Sequence, residues 1–209
     1  MKKVLIFSLA YYPKPIGGAE IAIKEITDRL PDIEWHLITL RFNRDYPAQE
    51  QVGAVHVHRV GWGSGYVAKM FFILLAALYA RTLQREKKFD ALWAMMSYML
   101  LPLVLANLRL PYALTLQEGD TEAHMFGRLH ILPFLPFIHT GFQHARVVQV
   151  ISTFLGGWAY KRGYRGPLEI IPNGVDIKHF SGDSLPHDGK VLITTSRLVK
   201  KNGVDTVIR

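Results

Sequence analysis

Short apolar runs alternate with longer helical patterns along nearly the whole chain. Strands of continuous apolar character that are joined by helices are typical of a parallel sheet covered on both faces. The sequence therefore predicts an α/β fold with a Rossmann-like parallel sheet and helices on both faces. The predicted strands are 3–9, 35–40, 54–60, 90–96, 112–116, 146–151, 168–171 and 190–195, and the predicted helices are 18–30, 65–87, 97–108, 130–144 and 153–163. The segment 41–53 has no helical pattern and is predicted to be a polar surface loop.

The composition is that of a folded protein, with 49% hydrophobic and 20% charged residues in a chain of 209. The absence of cysteine excludes disulfides, thiolate metal sites and a cysteine nucleophile, and it is typical of a reducing cytoplasm. A formal charge of +8 favours a polyanionic neighbour such as an anionic membrane or phosphorylated substrates. Nucleic acid is disfavoured, because the cations are dispersed and no basic block is interleaved with aromatic residues.

The apolar segments are short for a membrane span. The longest uncharged apolar run, 70–80, has 11 residues, whereas crossing a bilayer takes about 20, so no transmembrane segment is predicted. The helix 65–87 is apolar nearly all round as far as Arg81, and we expect it to be buried. The alternative is an apolar surface with basic flanks that contacts a bilayer, and the same alternative applies to the proline-broken run 132–137.

The loop after the first strand carries the pair Gly17–Gly18 and leads into an amphipathic helix. Glycines at a strand-to-helix turn let backbone N–H groups approach an anion, and the helix N-terminus adds partial positive charge. Gly17 and Gly18 are therefore candidates for binding a phosphate or carboxylate at the carboxyl edge of the sheet. The alternative is a tight turn that needs glycine for a positive φ.

Two further motifs bear on metals and dinucleotides. His56 and His58 lie on one face of a predicted strand, but no third ligand has useful spacing, so no metal site is predicted. The turn 61–65 is rich in glycine, yet Tyr66 stands where a dinucleotide fingerprint has its third glycine. The second strand also ends without an acidic residue to bind a ribose, which argues against a nicotinamide-dependent dehydrogenase.

Polar side chains follow the predicted strand 112–116, where open α/β sheets bind ligands. Gln117, Glu118 and Asp120 are candidates for recognising sugar hydroxyls, and Glu118 or Asp120 for transferring a proton. The alternative is that these carboxylates cap the helix that follows. Spacing does not distinguish the two.

Composition changes near the end of the chain. Residues 181–189 are rich in Ser, Gly, Asp and Pro, which is typical of a linker. The predicted organisation is one domain over 1–176, a linker over 177–189 and the start of a second domain over 190–209. One strand and a stub of helix cannot bury a core, so this second domain is predicted to be incomplete.

Four motifs follow one another in order and span nearly the whole chain. They are Pro13…Gly17-Gly18-Ala19-Glu20, Val150-Ile151-Ser152, Ile171-Pro172-Asn173-Gly174-Val175-Asp176…Phe180 and Ser196-Arg197-Leu198…Gly203-Val204-Asp205. Together they resemble glycosyltransferase family 4, which has the two-domain GT-B architecture. The resemblance implies the N-terminal, acceptor-side half of an enzyme that transfers a sugar from a nucleotide-diphosphate donor with retention. It implies no metal or other cofactor.

The resemblance also implies roles for the residues that bind the donor. Gly17 and Gly18 approach the diphosphate, and Arg197 neutralises the leaving group as its charge develops. The family's lysine would fall at Asn202, so Lys201 is the candidate to replace it.

Glu20, Gln117 and Asn173 are expected to contact substrate. Gln117 stands where the family often carries a histidine, and an amide cannot take a proton. Any acid–base role therefore passes to Glu118 or Asp120.

The sequence thus predicts a cytoplasmic glycosyltransferase whose acceptor is a glycan or a lipid-linked sugar, the latter at the inner face of the membrane. Most donor contacts would belong to the second domain, so we expect negligible transfer by residues 1–209 alone. The alternative hypothesis is a non-catalytic basic α/β module that docks on anionic membrane or glycan. Peripheral membrane contact is compatible with both.

Overall fold

The computed structural model describes residues 1–127, 131–180, 189, 193–195, 198 and 202–208. The strands are β1 (Lys2–Phe7), β2 (Ile33–Leu40), β3 (Gln49–Val52), β4 (Val55–Val60), β5 (Ala91–Met95), β6 (Tyr112–Leu116), β7 (Val147–Val150) and β8 (Leu168–Ile170). The helices are α1 (Gly18–Asp28), α2 (Tyr66–Lys87), α3 (Leu100–Ala106), α4 (Glu122–Phe126), α5 (Leu135–Gln143), α6 (Thr153–Lys161) and α7 (Val204–Ile208). Single 3-10 turns precede α3 at Ser97–Met99 and α5 at Leu132–Phe134.

The eight strands form one sheet in the order β3-β4-β2-β1-β5-β6-β7-β8. Every neighbouring pair is parallel except β3 and β4, which are antiparallel. The predicted fold class is therefore confirmed. The prediction of a polar surface loop over 41–53 is wrong for residues 49–52, which form the edge strand β3. Its sequence, Gln-Glu-Gln-Val, lacks the apolar run that identifies the inner strands.

Two hydrophobic clusters cover the two faces of the sheet. The smaller one lies under α1, where Ile23 packs with Leu37 and Trp93. The larger one gathers the buried side chains of α2, α3, α5 and α6. Leu5, Ile6 and Phe7 of β1 have no exposed surface, as a central strand covered on both faces requires.

The helix α2 is only half buried, so the expectation of burial is wrong for its outer face. Five residues, Phe72, Ala76, Ala77, Ala80 and Leu83, face the core, whereas Phe71, Leu74 and Leu78 are more than half exposed. By length and composition α2 is also apolar enough to cross a membrane, although 28% of its most apolar window is buried inside the protein. The helix passes that test because apolar residues lie on its exposed side as well as on its buried side.

The chain divides into two compact units, Met1–Asn173 and Gly174–Arg209. The first contains the whole sheet. Within the second, the described residues include the short helix α7. The predicted linker 177–189 falls largely outside the described residues. Of the predicted strand 190–195, residues 193–195 are described and are not in a strand. The domain boundaries stay a prediction.

Candidate active site at the carboxyl edge of the sheet

The order in which the chain adds strands to the sheet reverses between β1 and β5. From β1 the chain moves outward through α1 to β2, and from β4 it crosses back through α2 to β5, on the other side of β1. Loops that leave the carboxyl ends of two such strands diverge and open a crevice, which is the usual ligand site of open α/β sheets. The loop 8–17 after β1 and the turn 96–99 after β5 border this crevice.

Side chains from neighbouring strands fix the first loop. Thr39 Oγ1 donates to the Leu9 carbonyl at 2.9 Å. The buried Arg59 guanidinium of β4 donates to the carbonyls of Tyr12, at 2.6 Å, and Pro47, at 3.0 Å, and it pairs with Glu50 of β3. Three strands thus determine where the loop lies before it reaches Gly17.

Gly17 caps α1, with an extended φ of −135°. Its N–H donates to Glu20 Oε2 at 2.6 Å, so the helix N-terminus already carries a carboxylate of its own. Burial raises the pKa of Glu20, against the hydrogen bonds that lower it. The amide of Gly17 is therefore not the free donor that an anion site there requires, and Glu20 serves as a helix cap.

Gly18 is exposed in the first turn of α1, and positive φ does not explain its identity, because Gly18 is not among the glycines with φ above zero. A methyl group added at Gly18 would point at the Asn173 Nδ2 and Gln117 Oε1 atoms, at 3.8 and 4.0 Å. The hypothesis of a turn that needs glycine for its dihedral angle is therefore wrong. What glycine provides at this position is free space in front of its backbone.

Gln117 and Asn173 close that space from the far side. Asn173 Nδ2 donates to Gln117 Oε1 at 3.3 Å, although the two residues follow β6 and β8, which are separated by β7. Gln149 of β7 bridges the distance by donating to the Ile171 carbonyl at 2.7 Å. Three residues that the sequence analysis singled out, Gly18, Gln117 and Asn173, are thus brought together.

Glu118 is buried beneath this group, with 9% of its surface exposed. Its Oε1 accepts from the Ser97 N–H at 2.5 Å, and its Oε2 has no hydrogen-bond partner among the described residues. Burial raises the pKa of Glu118, which the Ser97 hydrogen bond only partly offsets. The carboxyl group of Glu118 fastens the turn after β5 and stands back from the surface.

Asp120 is half-buried and lies nearer the surface than Glu118. The next carboxylate, Glu122, begins α4 and forms ion pairs of 2.9 Å with Lys161 at the end of α6 and with Arg162, which follows it. Helix capping therefore does not account for the whole acidic run. Of the two proton-transfer candidates, Asp120 has the more accessible position.

The turn after β5 adds residues that the sequence analysis missed. Met96 adopts φ 73° and ψ 153°, a combination that is almost restricted to glycine and is concentrated at functional sites. Tyr98 follows, and its pKa is raised by burial and then by the nearby carboxylates of Glu118 and Glu20. No sequence motif marks these residues, but their place directly after a strand next to β1 could have drawn attention to them.

An open groove of about 620 Å³ adjoins the first loop. Its lining is mixed, with apolar and aromatic surface beside one cation and one amide. The lining residues are Lys14, Pro15, Ile16, Phe42, Asn43 and Tyr46.

The histidines of β4 lie away from this crevice, beside His36 of β2. His36 Nδ1 lies 2.9 Å from His58 Nε2, and His36 Nε2 lies 2.9 Å from Glu34 Oε1. Within the part of the chain that the structure describes, no group of three or more His, Cys, Asp or Glu side chains could hold a metal ion. The histidines instead line a separate cavity of about 360 Å³ under the C-terminal half of α2.

The sequence profile of Glycosyltransferase Family 4 matches residues 16–179, from the first loop to the segment after β8. The chain belongs to glycosyltransferase family 4. No curated protein sequence is similar to it at a significant level.

Solved structures share the fold of this family 4 chain. The sucrose-phosphate synthase of Thermosynechococcus elongatus matches 85% of the chain with a TM-score of 0.69 at 11% identity. Anabaena HepE in complex with UDP and glucose matches 85% with a TM-score of 0.54 at 16% identity. The UDP-N-acetylglucosamine 2-epimerase of Rickettsia bellii matches 81% with a TM-score of 0.54 at 11% identity.

This family 4 chain spans about half the length of those structures, covering 49%, 46% and 44% of them. The likeness at such low identity establishes the fold, and an epimerase shares it, so the reaction does not follow from the fold. The predicted diphosphate residues Arg197 and Lys201 lie outside the described residues. Their roles stay predictions.

Proposed function

We propose that this chain is the acceptor-side half of a retaining glycosyltransferase that uses a nucleotide-diphosphate sugar. Membership of family 4 supports the reaction class. The space in front of Gly18 supports the location of the donor, because a diphosphate needs close access to backbone. The free space in front of the Gly18 backbone is the observation that carries the proposal.

In this proposal the diphosphate lies against Gly18, within reach of the Asn173 and Gln117 amides. By the resemblance to family 4, Arg197 and Lys201 are the cations proposed to stabilise the charge that develops on the leaving diphosphate. The proposal requires no metal ion. A solved structure of the same fold, Anabaena HepE in complex with UDP-glucose, contains such a donor.

The groove beside Lys14 and Tyr46 is the proposed acceptor site. It begins at Ile16, next to the glycine pair, so an acceptor there is placed at the side of the proposed diphosphate position. Its aromatic and apolar surface suits a sugar ring or the isoprenoid-like part of a lipid-linked sugar. Asp120 is the proposed group for proton transfer, because Glu118 is buried and accepts from the Ser97 amide.

The test is the pair Gly18→Glu and Gly65→Glu, assayed with the complete gene product on a panel of nucleotide-diphosphate sugars. Both glycines begin helices after parallel strands, and a side chain added at Gly65 meets nothing within 4 Å. We expect Gly18→Glu to reduce turnover by about 100-fold or more, since it brings bulk and negative charge to the diphosphate. Gly65→Glu should leave turnover unchanged.

Equal kinetics in both variants would show that Gly18 only forms a turn. If the complete gene product neither binds nor turns over any donor in the panel, the proposed reaction is wrong. The control for folding is that both variants unfold in a single thermal transition with the same midpoint.

A further inference from the structure

The outer face of α2 carries a stripe of large apolar side chains. Its members follow one another at intervals of four, three and four residues, which places them along one side of a helix. They are Val67, Phe71, Leu74 and Leu78, and they are exposed by 65, 61, 56 and 58%. Soluble surfaces rarely leave such a contiguous apolar row uncovered, so the stripe indicates an interaction surface.

The same side of the helix ends in cations. Arg85 follows Leu78 by seven residues and continues the line of the stripe, and the exposed Lys88 ends the helix on the same side. Arg81 precedes them and donates to the Ala106 and Leu105 carbonyls at 2.9 and 2.8 Å. Those bonds fix Arg81 on the C-terminal end of α3 and keep its charge on this side of the molecule.

The opposite side of α2 is tied to the sheet. Phe72, Ala76 and Ala80 have no exposed surface and belong to the larger hydrophobic cluster. Inserting α2 across a bilayer would strip this cover from the sheet and expose the core. The helix can therefore meet a bilayer only lengthwise, with its outer stripe.

A second exposed apolar group lies in the same helical layer. The helix α3 packs between α2 and α5, and Leu132 and Phe137 at the start of α5 are 44 and 42% exposed. By contrast, two copies of the chain each have a net charge of +8 and repel one another, which disfavours self-association. An anionic surface is complementary to both the charge and the apolar stripe.

We propose that α2 docks the chain on the surface of an anionic phospholipid bilayer. The stripe Val67–Leu78 enters the boundary between headgroups and acyl chains, and the exposed cations Arg85 and Lys88 bind lipid phosphates. The proposal does not depend on sugar transfer, because docking uses a face formed by α2 and no residue of the crevice.

The test is flotation of the 209-residue chain with vesicles of phosphatidylcholine alone or mixed with phosphatidylglycerol, without any nucleotide. The wild-type chain should float with the mixed vesicles. We expect Phe71→Ser combined with Leu78→Ser to weaken binding by about ten-fold or more. Arg85→Gln combined with Lys88→Gln should weaken it by about ten-fold at low salt.

The matched control is Ile21→Ser combined with Ile26→Ser on α1. These side chains are 47 and 42% exposed, and α1 covers the other face of the sheet. The control should bind like wild type, and equal thermal midpoints verify that all variants fold.

Three results would overturn the proposal. The first is no flotation of the wild-type chain with mixed vesicles. The second is an equal loss in the α1 control, which would show unspecific adhesion. The third is a dimer in sedimentation equilibrium that Phe71→Ser with Leu78→Ser dissociates while flotation is unchanged, since the stripe would then be a contact between copies.

Discussion

The two glycine-rich strand-to-helix turns of this sheet look alike in sequence but use glycine for different reasons. In the turn after β4, Gly61 and Gly63 adopt φ of 67° and 108°, which other residues adopt only with strain. In the turn after β1, Gly17 has an extended φ of −135°, and Gly18 leaves space before Gln117 and Asn173. Glycine shapes the second turn, whereas in the first it keeps a surface accessible.

This comparison predicts that alanine at Gly18 harms activity and spares stability. The added methyl would meet Asn173 and Gln117 at ordinary contact distances, so the free energy of unfolding should stay within about 0.5 kcal/mol of wild type. Displacing a diphosphate by the width of a methyl should lower turnover by about 100-fold. Urea unfolding and donor turnover on the same preparation measure both, and unchanged turnover would remove the distinction between the turns.

The first turn also depends on a side chain from β4, so Arg59→Met should destabilise the protein. The change removes hydrogen bonds to the Tyr12 and Pro47 carbonyls and should cost about 3 kcal/mol of unfolding free energy. Glu50→Gln keeps those carbonyl bonds and is the matched control, with an expected loss below about 1 kcal/mol. Equal losses in the two variants would place the stabilisation in the ion pair alone.

Acid should weaken the strand that leads into the second turn. Burial lowers the pKa of His58 on β4 to about 4, and burial also lowers the pKa of His36. Because His58 takes up its proton above pH 6 when unfolded but near pH 4 when folded, the unfolded state binds more protons in mild acid, and stability falls as pH decreases. We expect a loss of about 2 kcal/mol between about pH 7.5 and 5.

Unfolding in urea across that pH range measures this loss, and His58→Phe should flatten the pH dependence. The groups that face the histidine pair are His56, Glu34, Tyr79 and Lys87. An unaltered slope in His58→Phe would assign the acid sensitivity to another group.

The smallest expected effect concerns Gly63. Gly63→Ala should lower the free energy of unfolding by about 1 kcal/mol, since its φ is 108° and the new Cβ would lie 3.2 Å from Ala68 Cβ. Turnover per folded molecule should not change. Gly65→Ala, with φ −71° and open space around it, is the control that should leave stability unaltered.

Most of the fold was predictable because the inner strands are apolar on both faces, as Leu5, Ile6 and Phe7 are. The edge strand β3 was missed for the complementary reason. Its residues Gln49–Val52 face solvent or the edge and carry no apolar pattern. The exposure of α2 was missed because sequence shows that a helix is apolar but not whether a neighbour covers each side.

The candidate site was predictable only in its components. Gly18, Gln117 and Asn173 each follow a parallel strand, so the sequence predicts that they lie at the same edge of the sheet. Their actual proximity depends on how the segment after β8 folds back over β7, which Gln149 stabilises. The capping role of Glu20 could have been inferred, since a glutamate three residues after a helix N-cap commonly bonds back to it.

The polar character of β3 has a consequence for solubility. In the described part of the chain, β3 and β8 each have one strand neighbour and so present unpaired backbone groups to their surroundings. Such margins are templates for intermolecular pairing unless they are short or charged. The first is four residues long and bears Glu50, and the second has only three residues, so neither offers a second molecule enough backbone to extend the sheet.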